Sequence, residues 1–311
     1  MGSILGVVLP VFGLILLGFL ARRGGWLGPN TMAELNRFVV WLALPAMLFH
    51  VMAHTAWSIL WQPGFVAAFG LASMGLFAVT LALRLRAARP LPDASIEGLN
   101  AAYPNSGYMG FPLCLMALGP QSLPLVTIGM IMTVCVLFAL AVVCIEIGLQ
   151  EERRPARLAA KVGLALAKNP LLVAPAMGAL VSGTGLPLPE ALDSLLKLLG
   201  AAASPCALVA LGVFLAQQGM VRGRDLQGTL LLVPLKLLAL PALVWLLAAQ
   251  VFRLGPLATH TAVLLAALPT GTGPFMLAEY YRRDARITSA TVLISTLTSV
   301  LTVAAYLAWI G

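Results

Sequence analysis

What most limits this chain is a succession of ten long apolar runs whose connections carry nearly all their bases on alternate joins. The runs lie at about 4–21, 35–54, 63–84, 96–118, 123–148, 165–183, 191–216, 227–252, 259–280 and 287–309. Each is close to the roughly 20 residues a helix needs to cross the hydrocarbon core. None alternates apolar and polar residues as a membrane β-barrel strand does, so helices alone can satisfy the backbone in lipid. Only 10% of the 311 residues are charged, against about 25% in a typical soluble domain. Ten helices would use about 200 residues and leave short loops. The sequence therefore reads as one all-α polytopic membrane protein.

The bases give that protein a direction. Arg22, Arg23 and Arg37 follow the first run, and Arg84, Arg86 and Arg89 the third. Arg153, Arg154, Arg157, Lys161 and Lys168 follow the fifth, Arg222 and Arg224 the seventh, and Arg282, Arg283 and Arg286 the ninth. These joins hold 16 of the 19 bases. Bases stay on the cytoplasmic side, so both termini are expected outside the cytoplasm of a bacterial inner membrane. The net charge of +8 is accounted for by these loop ends, and no basic stripe for nucleic acid exists. Bases also follow the first run instead of preceding it, so that run reads as a retained helix and not a cleaved leader.

A shift of 160 residues brings Pro10 onto Pro170, Pro29 onto Pro189 and Pro45 onto Pro205. It also places Gly18 on Gly178 and Arg37 on Lys197. A duplicated unit of five spans explains this, with residues 1–149 as the first repeat and 160–311 as the second. Because five is odd, the halves enter the membrane in opposite directions, an inverted repeat of the kind found in many secondary carriers.

Two runs are interrupted, each the fourth of its half. One reads Asn100-Ala-Ala-Tyr-Pro104-Asn105-Ser106-Gly107-Tyr108-Met109-Gly110-Phe111-Pro112, the other Leu268-Pro269-Thr270-Gly271-Thr272-Gly273-Pro274-Phe275. Proline removes a backbone donor and clashes with the preceding turn. Such backbone is tolerated at membrane depth only inside protein or beside a wet cavity. Paired interruptions point to a substrate site, and the half-helix N-termini they expose favour an anion. The candidate binding residues are Asn105, Ser106, Tyr108, Gly110, Pro112, Pro269, Thr270, Thr272 and Pro274, with Tyr103 as a further wall. Lys236, well inside the eighth run, reads two ways: as a counter-charge or coupling group, or as a long side chain snorkelling to one face.

Other chemistry finds little support. Cys114, Cys135, Cys144 and Cys206 sit in apolar runs without a C-x-x-C pair, which fits neither zinc nor disulfides. His50 and His54 share a helix face, but the intervening Val-Met-Ala lacks the glutamate of a metalloprotease motif. They read as an interfacial pair, with pH sensing as a lesser option, and no metal site or cofactor is expected. No nucleophile–base set, Walker loop or dinucleotide fingerprint appears, so neither an enzyme nor ATP coupling is expected in this chain.

The two broken motifs resemble those of the auxin efflux carrier family, which includes plant PIN-type carriers and bacterial permeases. Asn105-Ser-Gly-Tyr-Met109-Gly110-Phe-Pro112 is similar to the family's Asn-x-x-x-Met-Gly-x-Pro, and Leu268 to Phe275 with Ala278 and Tyr280 resembles its ninth-span motif. Lys168-Asn169-Pro170-Leu171 fits the bacterial branch. The resemblance implies that broken helices 4 and 9 cross at mid-membrane. It also implies a scaffold of helices 1, 2, 6 and 7, a transport domain of helices 3–5 and 8–10, and often a homodimer formed through the scaffold. Its bacterial members are associated with malate, malonate or similar carboxylates. The expected function is thus a permease moving a small organic anion by alternating access, with H+ or Na+ as the coupling ion if there is one. Two alternatives stand: a sodium-coupled organic-anion symporter of the bile-acid-transporter type, and a membrane ligand sensor that does not transport.

Overall fold

Residues 2–56, 61–150, 155–185, 187–218 and 223–310 are described by the structure, a computed structural model. Arg153, Arg154 and Arg222, counted above among the loop bases, lie outside the described residues. In chain order the helices are α1 (Gly2–Arg23), α2 (Thr31–His54), α3 (Pro63–Arg86), α4 (Leu91–Ala102), α5 (Ser106–Leu118) and α6 (Pro120–Leu149). They continue as α7 (Ala156–Lys168), α8 (Pro170–Thr184), α9 (Glu190–Gln217), α10 (Asp225–Val251), α11 (Pro256–Ala267), α12 (Gly273–Tyr280) and α13 (Arg286–Ile310). Among the described residues six of them, α2, α3, α6, α9, α10 and α13, are long and apolar enough to span a membrane. The pair α7 and α8 makes a seventh if its 70° bend lies within one span. The runs at 96–118 and 259–280 are both divided, into α4 with α5 and α11 with α12.

Two boundaries differ from the sequence reading. The fourth run begins earlier, at Leu91, because Pro92 sits in the first turn, where its missing N–H costs no bond. The connection between the halves carries helix from Pro155. That helix stops at Lys168 because Asn169 accepts from the Leu171 amide at 3.0 Å and starts a new one.

Proline also shapes the long helices from within. Wide π-turns at Val39–Ala43, Ser106–Gly110 and Leu235–Ala239 each end two residues before a proline, namely Pro45, Pro112 and Pro241. A widened turn gives the ring room against the preceding carbonyl, and the helix continues instead of breaking.

Glycine sets the closest packing. A methyl group on Gly18 of α1 would overlap the carbonyl oxygen of Val209 in α9, and one on Gly212 of α9 would overlap that of Ile15. A methyl on Gly178 of α8 would likewise overlap the carbonyl of Phe49 in α2. Small residues let membrane helices approach to backbone contact, where dispersion and not water release holds them.

One group of charged side chains gathers at one end. Glu97, almost fully buried, pairs with Arg84 and Arg89. Arg283 grips Asp93 through two bonds of 2.7 and 2.6 Å, and Arg286 reaches Asp225 at 3.2 Å. Tyr281 donates to Glu146 at 2.7 Å. These contacts bring together the connections after the third, seventh and ninth runs, three of the joins that carry the bases, and the end of the fifth run.

Candidate functional site

Between α4 and α5 the chain leaves the helix at Tyr103, Pro104 and Asn105, and between α11 and α12 at Leu268 to Thr272. Proline cannot donate from its own nitrogen, so neighbouring groups must satisfy each stretch at depth. They satisfy each other. The Asn105 amide donates to the Pro269 carbonyl at 2.9 Å, and the Gly271 amide to the Tyr103 carbonyl at 3.0 Å, around an antiparallel bridge of Pro104 with Thr270. The Thr270 hydroxyl donates to the Asn100 carbonyl at 2.9 Å, and the Thr270 amide to Ser295 Oγ at 3.1 Å. The two interrupted segments therefore cross in contact.

Beside the crossing is a cavity of about 70 Å³, enough for several waters at roughly 10–15 Å³ each. Asn105, Tyr108 and Thr272 line it from the broken segments, with Tyr103 between them. Leu44 and Met47 of α2 and Ser204 and Ala207 of α9 line the opposite wall, and no lining residue is charged. The helical turns starting at Ser106 and Gly273 both begin at this cavity. Free N–H groups and the positive end of the dipole concentrate at such starts. The Tyr103 ring lies over Gly271 and Gly273, where an added methyl would come within 2.9 and 2.6 Å of it.

The other sequence candidates share these segments but face elsewhere. Ser106 is buried and donates to the Pro104 carbonyl at 3.2 Å, with Thr133 Oγ1 at 3.4 Å. Thr270 and Pro269 are committed to the crossing itself. Gly110 packs on Leu265, while Pro112 follows the wide turn of α5 and Pro274 sits in the first turn of α12. Lys236 is fully buried and its ammonium lies 2.6 Å from the carbonyl oxygens of both Ala266 and Leu268. Neither snorkelling nor lining the cavity, it closes the C-terminal end of α11, where partial negative charge collects. No carboxylate pairs with it among the described residues.

The wall built by α2 and α9 was not named from sequence, although a signal was present. The shift of 160 residues places Leu44 on Ser204 and Met47 on Ala207, and both pairs line the cavity. Positions related by this shift thus face one cavity.

Comparison with known proteins gives the family. The family profile described as membrane transport protein matches residues 3–307. A Rhizobium meliloti protein named "Putative malonate transporter" is 34% identical over 304 residues, covering 97% of this chain and 94% of that protein. "Auxin efflux carrier component 8" of Arabidopsis thaliana is 32% identical over 119 residues, 38% of this chain and 32% of the plant protein. With the profile spanning nearly every residue and both broken motifs inside it, the chain belongs to the auxin efflux carrier family of membrane transport proteins.

Proposed function

We propose that this protein is a secondary carrier for a small organic anion, a mono- or dicarboxylate of the malonate or malate kind, working by alternating access. The observation that carries this reading is the cavity at the crossing, on which two helix starts converge from opposite halves. Two positive dipole ends with Asn105, Tyr108 and Thr272 would hold a carboxylate without a formal counter-charge. The absence of lysine or arginine from the wall favours release as much as capture. The name of the Rhizobium relative supports the same substrate class.

The mechanism proposed sets α1, α2, α7, α8 and α9 as scaffold against the remaining helices, in ten spans arranged as two inverted repeats. Packing supports the duplication: Gly18 meets Val209, and Gly178 meets Phe49, and a shift of 160 residues converts one pair into the other. The cavity lies between the two groups of helices, so rocking one against the other would expose it to alternate sides. The bases place the ion-paired end in the cytoplasm and both termini outside the inner membrane. Association of two copies through the scaffold, and coupling to H+ or Na+, belong to the same proposal.

The sodium-symporter alternative is less well supported. No carboxylate lines the cavity beside the crossing to help hold sodium.

Uptake of radiolabelled malonate, malate, succinate and lactate into proteoliposomes tests the proposal, with solid-supported-membrane currents reporting the charge moved. Saturable uptake of at least one acid, competed by the others, is expected. Specific binding of a carboxylate without accumulation would mean a sensor instead. Null uptake and null binding for all four would overturn the anion assignment.

A further inference from the structure

We infer that His50, His54 and Asp193 form a binding site for one transition-metal dication, zinc being the probe of choice, that ties α2 to α9. His50 Nε2 and His54 Nε2 lie 3.2 and 3.0 Å from the same oxygen, Asp193 Oδ1. The three candidate ligand atoms all fall within 4.8 Å of one another. The histidine pair comes from one face of α2, and the aspartate from the first turn of α9. From the sequence, this pair had no third ligand nearby; the fold supplies one from the other half of the chain.

The hydrogen bonding favours a cation here over a simple polar contact. His54 Nδ1 lies 2.9 Å from the His50 carbonyl oxygen. A carbonyl can only accept, so Nδ1 carries the hydrogen, and in neutral imidazole that leaves a lone pair on Nε2. This lone pair faces Asp193 Oδ1, a carboxylate oxygen shielded from solvent. Two acceptors at this distance repel unless a positive centre sits between them. Ligand histidines commonly donate their second ring nitrogen to a carbonyl, which fixes the tautomer and turns the other nitrogen toward the metal.

The spacing suits a tetrahedral ion. Two ligands at about 2.0–2.1 Å from zinc stand roughly 3.3 Å apart, near the observed separations. His54 is half exposed, so water can complete the coordination. Two imidazoles and a carboxylate select zinc, nickel, cobalt or copper over magnesium, calcium or sodium. Lys197, one turn beyond Asp193, adds an opposing charge, so the expected affinity is micromolar. Because cavity-lining Met47 lies one turn before His50 on α2, metal here would brace the α2–α9 wall without entering the cavity.

The test uses the full chain in detergent with any affinity tag removed, zinc chloride titrated by calorimetry, and bound metal counted by mass spectrometry. One zinc per chain is expected, with a rise in melting temperature that magnesium does not reproduce. His54→Ala and Asp193→Asn should each weaken zinc at least tenfold while eluting as the wild type does, and His260→Ala should bind normally. If the wild type binds no zinc, or binds no better than Asp193→Asn, the inference fails and the aspartate is holding a protonated histidine. Should either variant elute abnormally, His50→Gln is read in its place, and undiminished binding by that variant would overturn the site equally.

Discussion

The backbone amide of Asn105 is bonded at 2.9 Å to the carbonyl of Pro269, so the interruption in one half of the chain is satisfied by the interruption in the other. Asn105 therefore has two separate tasks: its main chain holds the crossing, and its side chain is left for the cavity.

That separation makes the side chain testable alone. Asn105→Ala and Thr272→Ala keep the backbone bonds and should express as monodisperse protein. Each would lose a hydrogen bond to a charged ligand, worth about 1.5–3 kcal/mol, or roughly tenfold or more in apparent affinity. Concentration-dependent uptake in proteoliposomes measures this. Wild-type kinetics in both variants would remove these residues from the binding site.

Lys236→Met keeps the length of the side chain and deletes its charge. The carbonyls of Ala266 and Leu268 would then lose their buried donor, at a cost of about 1–3 kcal/mol for each group left unsatisfied. A melting temperature lower by several degrees is expected, together with reduced uptake as α11 loses its fixed end. An unchanged melting temperature with lost uptake would instead make Lys236 a participant in transport.

Two glycines on one helix should respond with opposite signs. Gly18→Ala places its methyl against the Val209 backbone, whereas nothing lies within 4 Å of such a methyl at Gly13. Overpacking costs about 1–3 kcal/mol, while glycine to alanine in an open helix position gains about 0.5–1 kcal/mol. Thermal melts of the two variants in the same detergent should bracket the wild type. Equal melting temperatures would mean that α1 and α9 pack more loosely than described.

Glu97→Gln should destabilise the ion-paired end. It leaves Arg84 and Arg89 without their shared carboxylate. Removing one partner of a buried pair costs about 3–5 kcal/mol, and the partial exposure of Arg89 reduces the expectation to about 2 kcal/mol. Added salt should narrow the gap to the wild type by screening the stranded arginines. A gap that salt does not alter would point to packing and not to charge.

The all-helical membrane character was legible because lipid leaves so few solutions to the backbone, and the two proline–glycine segments were legible as interruptions. That each interruption bonds to the other could be expected only through the family resemblance, since Asn105 and Pro269 are far apart in sequence. Lys236 shows the limit of reading charge from sequence. An intramembrane lysine suggests an ion or a substrate, and here its partners are two main-chain oxygens that no residue type announces. The α2–α9 wall escaped notice for a related reason. Leu44, Met47 and Ala207 are ordinary apolar residues, made functional candidates only by what stands opposite them.

The bridge of Pro104 with Thr270 has a mechanical consequence. A helix broken once is a joint, free to bend where its ladder of bonds stops. Two joints riveted to each other lose that freedom, because neither can flex without shearing the bonds of its mate. The crossing would then behave as a stiff hub, and the rocking proposed above would fall to its bearing surface. There Ala203, Ser204 and Ala207 offer a track of small side chains with few knobs to catch.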